Sequence, residues 1–158
     1  MKIKWREIPL TYRIVAVALI FIAVFTITFQ TISIYKTKKA QEEQFSGHIA
    51  SAAISLEEYT ETGYVFLYED ALMELHSASS IALLLKDDDA YKGMHNVLLS
   101  IVGTYHTFPE DLALFNDELI DVLNDFSSHH DVENLYTKLN GIDNQLTAMM
   151  AERLEKVE

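Results

Sequence analysis

Between Ile14 and Ile34 the chain reads IVAVALIFIAVFTITFQTISI, 21 residues without a charge. At about 1.5 Å of rise per residue, a helix of this length covers the ~30 Å hydrocarbon layer of a bilayer. A helix is also one of the two structures that satisfy their own backbone polar groups in lipid. The run therefore predicts a transmembrane helix over 14–35, a basic tail over 1–13 before it and a separate domain over 36–158 after it. It is longer than the ~7–15 apolar residues of a secretory signal, and no small-x-small cleavage site follows it, only Thr31-Ile32-Ser33-Ile34-Tyr35-Lys36. An uncleaved signal-anchor is expected.

Orientation follows the basic residues at the two ends, because Lys and Arg near a span are retained on the cytoplasmic side. Lys2, Lys4, Arg6 and Arg13 precede the run, and Lys36, Lys38 and Lys39 follow it. The excess places the amino terminus inside and the domain outside the cell membrane. Trp5, Tyr12 and Tyr35 stand where aromatic side chains settle at headgroup depth.

Charge separates the chain into unlike parts. Residues 1–39 carry seven Lys/Arg against one acid, whereas residues 40–158 carry five Lys/Arg against 23 Asp/Glu, a net charge of −18. A domain of that sign is repelled by nucleic acid and attracts basic proteins or cations. The same charge also serves simply to keep a helical domain soluble. Without cysteine, there are no disulfides, thiolate zinc sites, iron–sulfur clusters or covalently attached c-type haem.

Two prolines and five glycines punctuate the whole chain, and apolar residues recur at alternating steps of three and four. That is helical spacing, so an all-α fold is predicted: one transmembrane helix followed by an up-and-down bundle of four to five antiparallel helices. The first bundle helix continues from the span through Phe45, Ile49, Ala52, Leu56 and Tyr59 to Gly63, where glycine can take the left-handed conformation that ends a helix. The second presents Val65, Tyr68, Leu72, Leu75, Ser79 and Ala82. Asp87-Asp88-Asp89 then closes it and offers a cap to the third, which carries Tyr91, Met94, Leu98, Ile101, Tyr105 and Phe108. Pro109-Glu110-Asp111 marks a fourth start, ahead of Leu112, Phe115, Leu119, Val122 and Phe126. Asp131 caps a fifth helix through Val132, Leu135, Leu139, Ile142, Leu146 and Met149.

Three features compete for a role. Ala16, Ala23, Thr26, Gln30 and Ser33 fall on one seam of the span, where small and polar side chains suit contact with a second helix in lipid, self or other. Thr and Ser also satisfy themselves by bonding back to their own helix. The interval Gly93–Thr137 contains eight acids and no Lys or Arg. Within it Asp117, Asp121 and Asp125 stand four residues apart, with Glu118 beside them and His129 one turn further. Such a line is a solvated acidic face, a docking face for a basic partner, or, with His129 and His130, a weak cation or pH-responsive site. Tyr59, Tyr64, Phe66 and Tyr68 are dense enough to line a ligand cleft or simply to fill the core.

The spacings of dedicated metal or nucleophile chemistry are absent. No carboxylate lies three residues before any of the six histidines, and there is no His-Glu-x-x-His, phosphate-binding glycine loop or Gly-x-Ser-x-Gly. The layout of basic tail, span and helical bundle resembles the sensing modules of chemoreceptors and of some histidine kinases. Those carry a second span leading to a signalling domain, whereas a single span is read here, so no functional residues carry over. The expectation is a non-enzymatic single-pass membrane protein without a cofactor. Its acidic extracytoplasmic bundle would serve as an adaptor or assembly subunit of an envelope complex. The alternative is a ligand- or cation-responsive sensor that signals through lateral helix contacts.

Overall fold

A computed structural model of the chain describes residues 9–86, 88–107 and 115–155. Lys2, Lys4, Trp5, Arg6, Asp87 and the stretch from Phe108 to Leu112, with the expected helix start at Pro109, lie outside the described residues. Five α-helices and one 3-10 turn make up the described chain: α1 (Leu10–Thr62), α2 (Val65–Leu84), the turn Asp89–Tyr91, α3 (Met94–Thr107), α4 (Asn116–His129) and α5 (Val132–Glu155). The chain divides into two compact units, Met1–Lys39 and Ala40–Glu158.

In the first unit, Pro9 sets the start of α1. Its carbonyl accepts the N–H groups of Tyr12 and Arg13 at 3.1 and 3.3 Å. The apolar run that follows has a mean hydropathy of 2.4 over 18 residues, and none of that window is buried. Phe21 and Phe25 are each 73 % exposed. A core helix of a soluble protein would hide these side chains. This one is long and apolar enough to cross a membrane and finds no protein cover within its own unit. The hydroxyls of Thr26, Thr28 and Thr31 donate to the carbonyls of Ile22, Val24 and Ile27 at 2.8–2.9 Å, so each is satisfied within its own helix.

The second unit is a helical bundle around one core. Phe45, Ile49, Ala52, Ala53 and Leu56 bury one face of the carboxyl-terminal part of α1. The helix ends where expected: Gly63, at φ +69°, donates its N–H to the Tyr59 carbonyl at 2.7 Å, a left-handed terminator that a side chain would strain. Two residues later α2 returns antiparallel. His48 Nδ1 lies 2.5 Å from Glu74 Oε2, and Tyr59 packs on Tyr68 with ring centroids 5.3 Å apart.

Ala71, Ala78, Ala82 and Ser79 of α2 are fully buried, and Ser79 meets α3 directly. There His95 Nδ1–H reaches the Ser79 carbonyl at 3.0 Å, and the Ser79 hydroxyl donates to the His95 carbonyl at 3.2 Å, which satisfies the buried Ser79 and the half-buried His95. At the other end of the pair the Tyr68 hydroxyl donates to the Tyr105 carbonyl at 2.9 Å.

The acidic run after α2 does less than expected. Asp88 Oδ1 accepts the Ala90 N–H at 3.1 Å and caps only the 3-10 turn, which buries Tyr91. Burial, followed by Glu42 and Asp88, pushes the Tyr91 phenol up to about 12. Gly93, at φ +86°, then redirects the backbone before α3 begins at Met94.

Asp131 caps α5, its Oδ1 accepting the Asn134 N–H at 3.0 Å. Leu135, Leu139, Ile142 and Leu146 of α5 meet Leu119, Leu123 and Phe126 of α4 in the core. Phe45 sits at the centre, edge-on to Tyr91 at 5.2 Å and to Phe126 at 5.8 Å. One neighbouring pair is parallel: α3 and α5 run the same way, tied by Gly93 against Tyr136 and by Thr104 against Met150. Five rods around one core cannot all have antiparallel neighbours, so alternation yields at this pair.

Candidate functional site

The acidic line on α4 divides when it is placed in the fold. Asp117, Glu118 and Asp121 are exposed. Asp125, one turn on, is half-buried and turned towards α5. It accepts from Lys138 Nζ at 2.6 Å and Asn134 Nδ2 at 2.9 Å, with His129 Nδ1 3.0 Å from its other oxygen. The Lys138 hydrogen bond, against a smaller opposing effect of burial, holds the Asp125 carboxyl below the usual carboxylate range. Asp125 therefore fastens the α4–α5 hairpin, and the outward acidic face is reduced to Asp117, Glu118 and Asp121.

His129 and His130 do not converge. His129 faces Asp125, whereas His130 takes the left-handed conformation at φ 54°, ends α4 through its N–H to the Phe126 carbonyl at 2.7 Å, and packs edge-on against the Phe126 ring. Among the described residues no group of three or more His, Asp or Glu is gathered closely enough to hold a metal ion.

In the first unit Ala23, Thr26, Gln30 and Ser33 are exposed and Ala16 is half-buried, and Thr26 is satisfied within its own helix. The four aromatics around Gly63 also part company. Tyr59 and Tyr68 turn inward, with Tyr68 stacked on Tyr105. Burial raises the phenol pKa of both Tyr68 and Tyr105. Tyr64 and Phe66 turn outward and stack on each other at 5.8 Å, each 60 % exposed, with Val65 between them 62 % exposed. The two pairs therefore face different surroundings.

A groove lies instead on the outer side of the α2–α3 pair. It encloses about 690 Å³ and is lined by Leu72, Met73 and Val102 with Glu69, His76, Ser77 and His106. Met73 within it is 61 % exposed. Against known proteins, the chain matches no family model, no curated protein and no solved structure.

The groove was not anticipated from spacing, although α2 did carry a signal. VFLYEDALMELHSASSIALL is apolar on more than one side, and a helix apolar beyond its core stripe offers a second surface for burial. The width of that surface depends on how closely α3 approaches, which a single helix does not show.

Proposed function

We propose that this chain is a non-enzymatic, single-pass membrane protein whose acidic helical bundle serves as an adaptor or assembly subunit of an envelope complex. One observation carries the reading. A unit with a net charge of −18 and a closed apolar core nevertheless holds Tyr64, Val65, Phe66 and Met73 out in solvent, next to an apolar groove. Large apolar side chains clustered outside a well-packed core are a feature of surfaces that meet another protein. The uncovered run of α1 supports a membrane anchor, and the basic residues before it favour a cytoplasmic amino terminus with the bundle outside.

Tagged full-length protein solubilised in mild detergent should bring down a defined partner at fixed stoichiometry. Recovery of free monomer alone would refute the adaptor reading. A second reading, a ligand- or cation-responsive sensor, draws on the groove volume of about 690 Å³, which lies in the range of small-molecule pockets. Under that reading the melting temperature of the full-length protein rises with one ligand or divalent ion out of a broad panel. A flat response removes its support.

A further inference from the structure

Resting on the adaptor reading, we infer that the groove between α2 and α3 receives an amphipathic helix of a basic partner protein. The partner's apolar stripe would sit on Leu72, Met73 and Val102, with Lys or Arg side chains meeting Glu69 and Asp70.

The shape of the surface selects a helix. Phe66, Met73 and Leu84 recur at helical spacing along α2 with Ser77 and Ser80 between them, and Leu99 continues the Val102 face of α3. Phe66, Met73, Leu84 and Leu99 are all exposed. From Phe66 to Leu84 the stripe extends ~27 Å, the length of about 18 helical residues. A groove of two antiparallel helices with such an apolar floor accepts anchors at i, i+3 or i+4, and i+7.

Charge selects which helix. Residues 40–85 contain eight acids and no Lys or Arg. Glu69 lines the groove itself, and Asp70 beside it is exposed. The bundle of a second copy would bring like charge to the same surface, and an anionic lipid surface would do the same. A helix flanked by Lys or Arg gains on both counts, through burial of Met73 and through complementary rim charges that accelerate encounter and exclude wrong partners.

The test uses the full chain in phosphatidylcholine nanodiscs with isotope-labelled methionine methyls. The probe is a synthetic 18-residue peptide with Leu at i, i+3, i+4 and i+7 and Lys elsewhere. Saturable shifts are expected at the Met73 methyl and not at Met94, which is fully buried in the core. By anisotropy of the labelled peptide, Met73→Lys and the double variant Glu69→Lys/Asp70→Lys should each weaken binding at least ten-fold. Asp117→Lys/Asp121→Lys on α4 should leave it unchanged.

Four results would overturn the inference: no Met73 response, equal binding of a Glu-for-Lys peptide, a loss of affinity confined to the α4 variant, or the same Met73 shift with anionic phosphatidylglycerol vesicles alone. Failure here is separable from failure of the adaptor reading. If Met73→Lys still brings down the stoichiometric partner, the groove assignment falls and the adaptor stands, whereas a wild-type protein recovered only as free monomer removes the adaptor reading itself.

Discussion

Gly63 and Gly93 share a backbone requirement and differ in their surroundings, which makes them a matched pair. Both hold positive φ, +69° and +86°. A Cβ at Gly63 would meet nothing within 4 Å, whereas at Gly93 it would stand 2.8 Å from Tyr136 Oη and 3.1 Å from both Cε2 and Cζ of that ring. Alanine in the left-handed region costs about 1–2 kcal/mol, of which stiffening of the unfolded chain returns about 0.4–1 kcal/mol. Gly63→Ala should therefore destabilise by about 1 kcal/mol. Gly93→Ala carries the same backbone cost and must also displace the whole edge of the half-buried Tyr136 ring, an overpacking cost of about 1–3 kcal/mol, for a total of about 3 kcal/mol. At roughly 4 °C per kcal/mol for a unit of this size, the thermal midpoints should fall by about 4 °C and about 12 °C. The assay is helical ellipticity of the full-length protein in mild detergent, where the lipid-type segment contributes a constant background. Tyr136→Leu introduced with Gly93→Ala should recover most of the difference between the two glycine variants, because the clash is pairwise. Equal losses at the two glycines, or no recovery on removing the ring, would refute the close approach of Gly93 to α5.

Phe45→Ala should cost about 3–5 kcal/mol, since the ring is fully buried and wedged between Tyr91 and Phe126; chemical denaturation would read it, and a loss below 1 kcal/mol would place Phe45 outside the core. Asp121→Asn removes an exposed carboxylate four residues from both Asp117 and Asp125, so it should stabilise by a few tenths of a kcal/mol at low salt and be neutral at 1 M salt; destabilisation at low salt would mean that Asp121 is paired. Asp125 has a folded-state pKa below its unfolded value, so its bond to Lys138 contributes stability that is fully present above the ordinary carboxylate value of about 4 and is lost as pH falls through the lower folded value. Lys138→Met should thus be less stable than wild type at pH 6, with the gap closing below about pH 4; denaturation curves that stay parallel down to pH 2 would exclude this linkage.

Much of the fold was legible because its causes are local. The uncharged run sets a helix of bilayer length, and Gly63 stops α1 because a left-handed residue is needed there. Asp131 caps α5 through a bond to a residue three positions on. Apolar residues at steps of three and four name the core members one helix at a time, and Phe45, Leu98, Leu119 and Leu139 are all buried as that spacing requires. Spacing gave the up-and-down course of linked helices but not which side chains of different helices meet. Asp125 looked like one more outward acid until α5 brought Lys138 and Asn134 to it, and Tyr64 and Phe66 shared a cluster in sequence with Tyr59 and Tyr68 until the packing of α1 on α2 turned Tyr59 and Tyr68 inward.

By itself the sequence determined that this protein is all-α, that one segment is long and apolar enough for a membrane, and that the remainder is strongly acidic, since each follows from composition and period along a single helix. Tertiary structure alone decided which acids are neutralised, that α3 and α5 run parallel, and that the packing of α2 on α3 leaves Met73 in an open groove. Those outcomes depend on distances between residues remote in the chain, and side-chain size sets such distances only once the helices have packed.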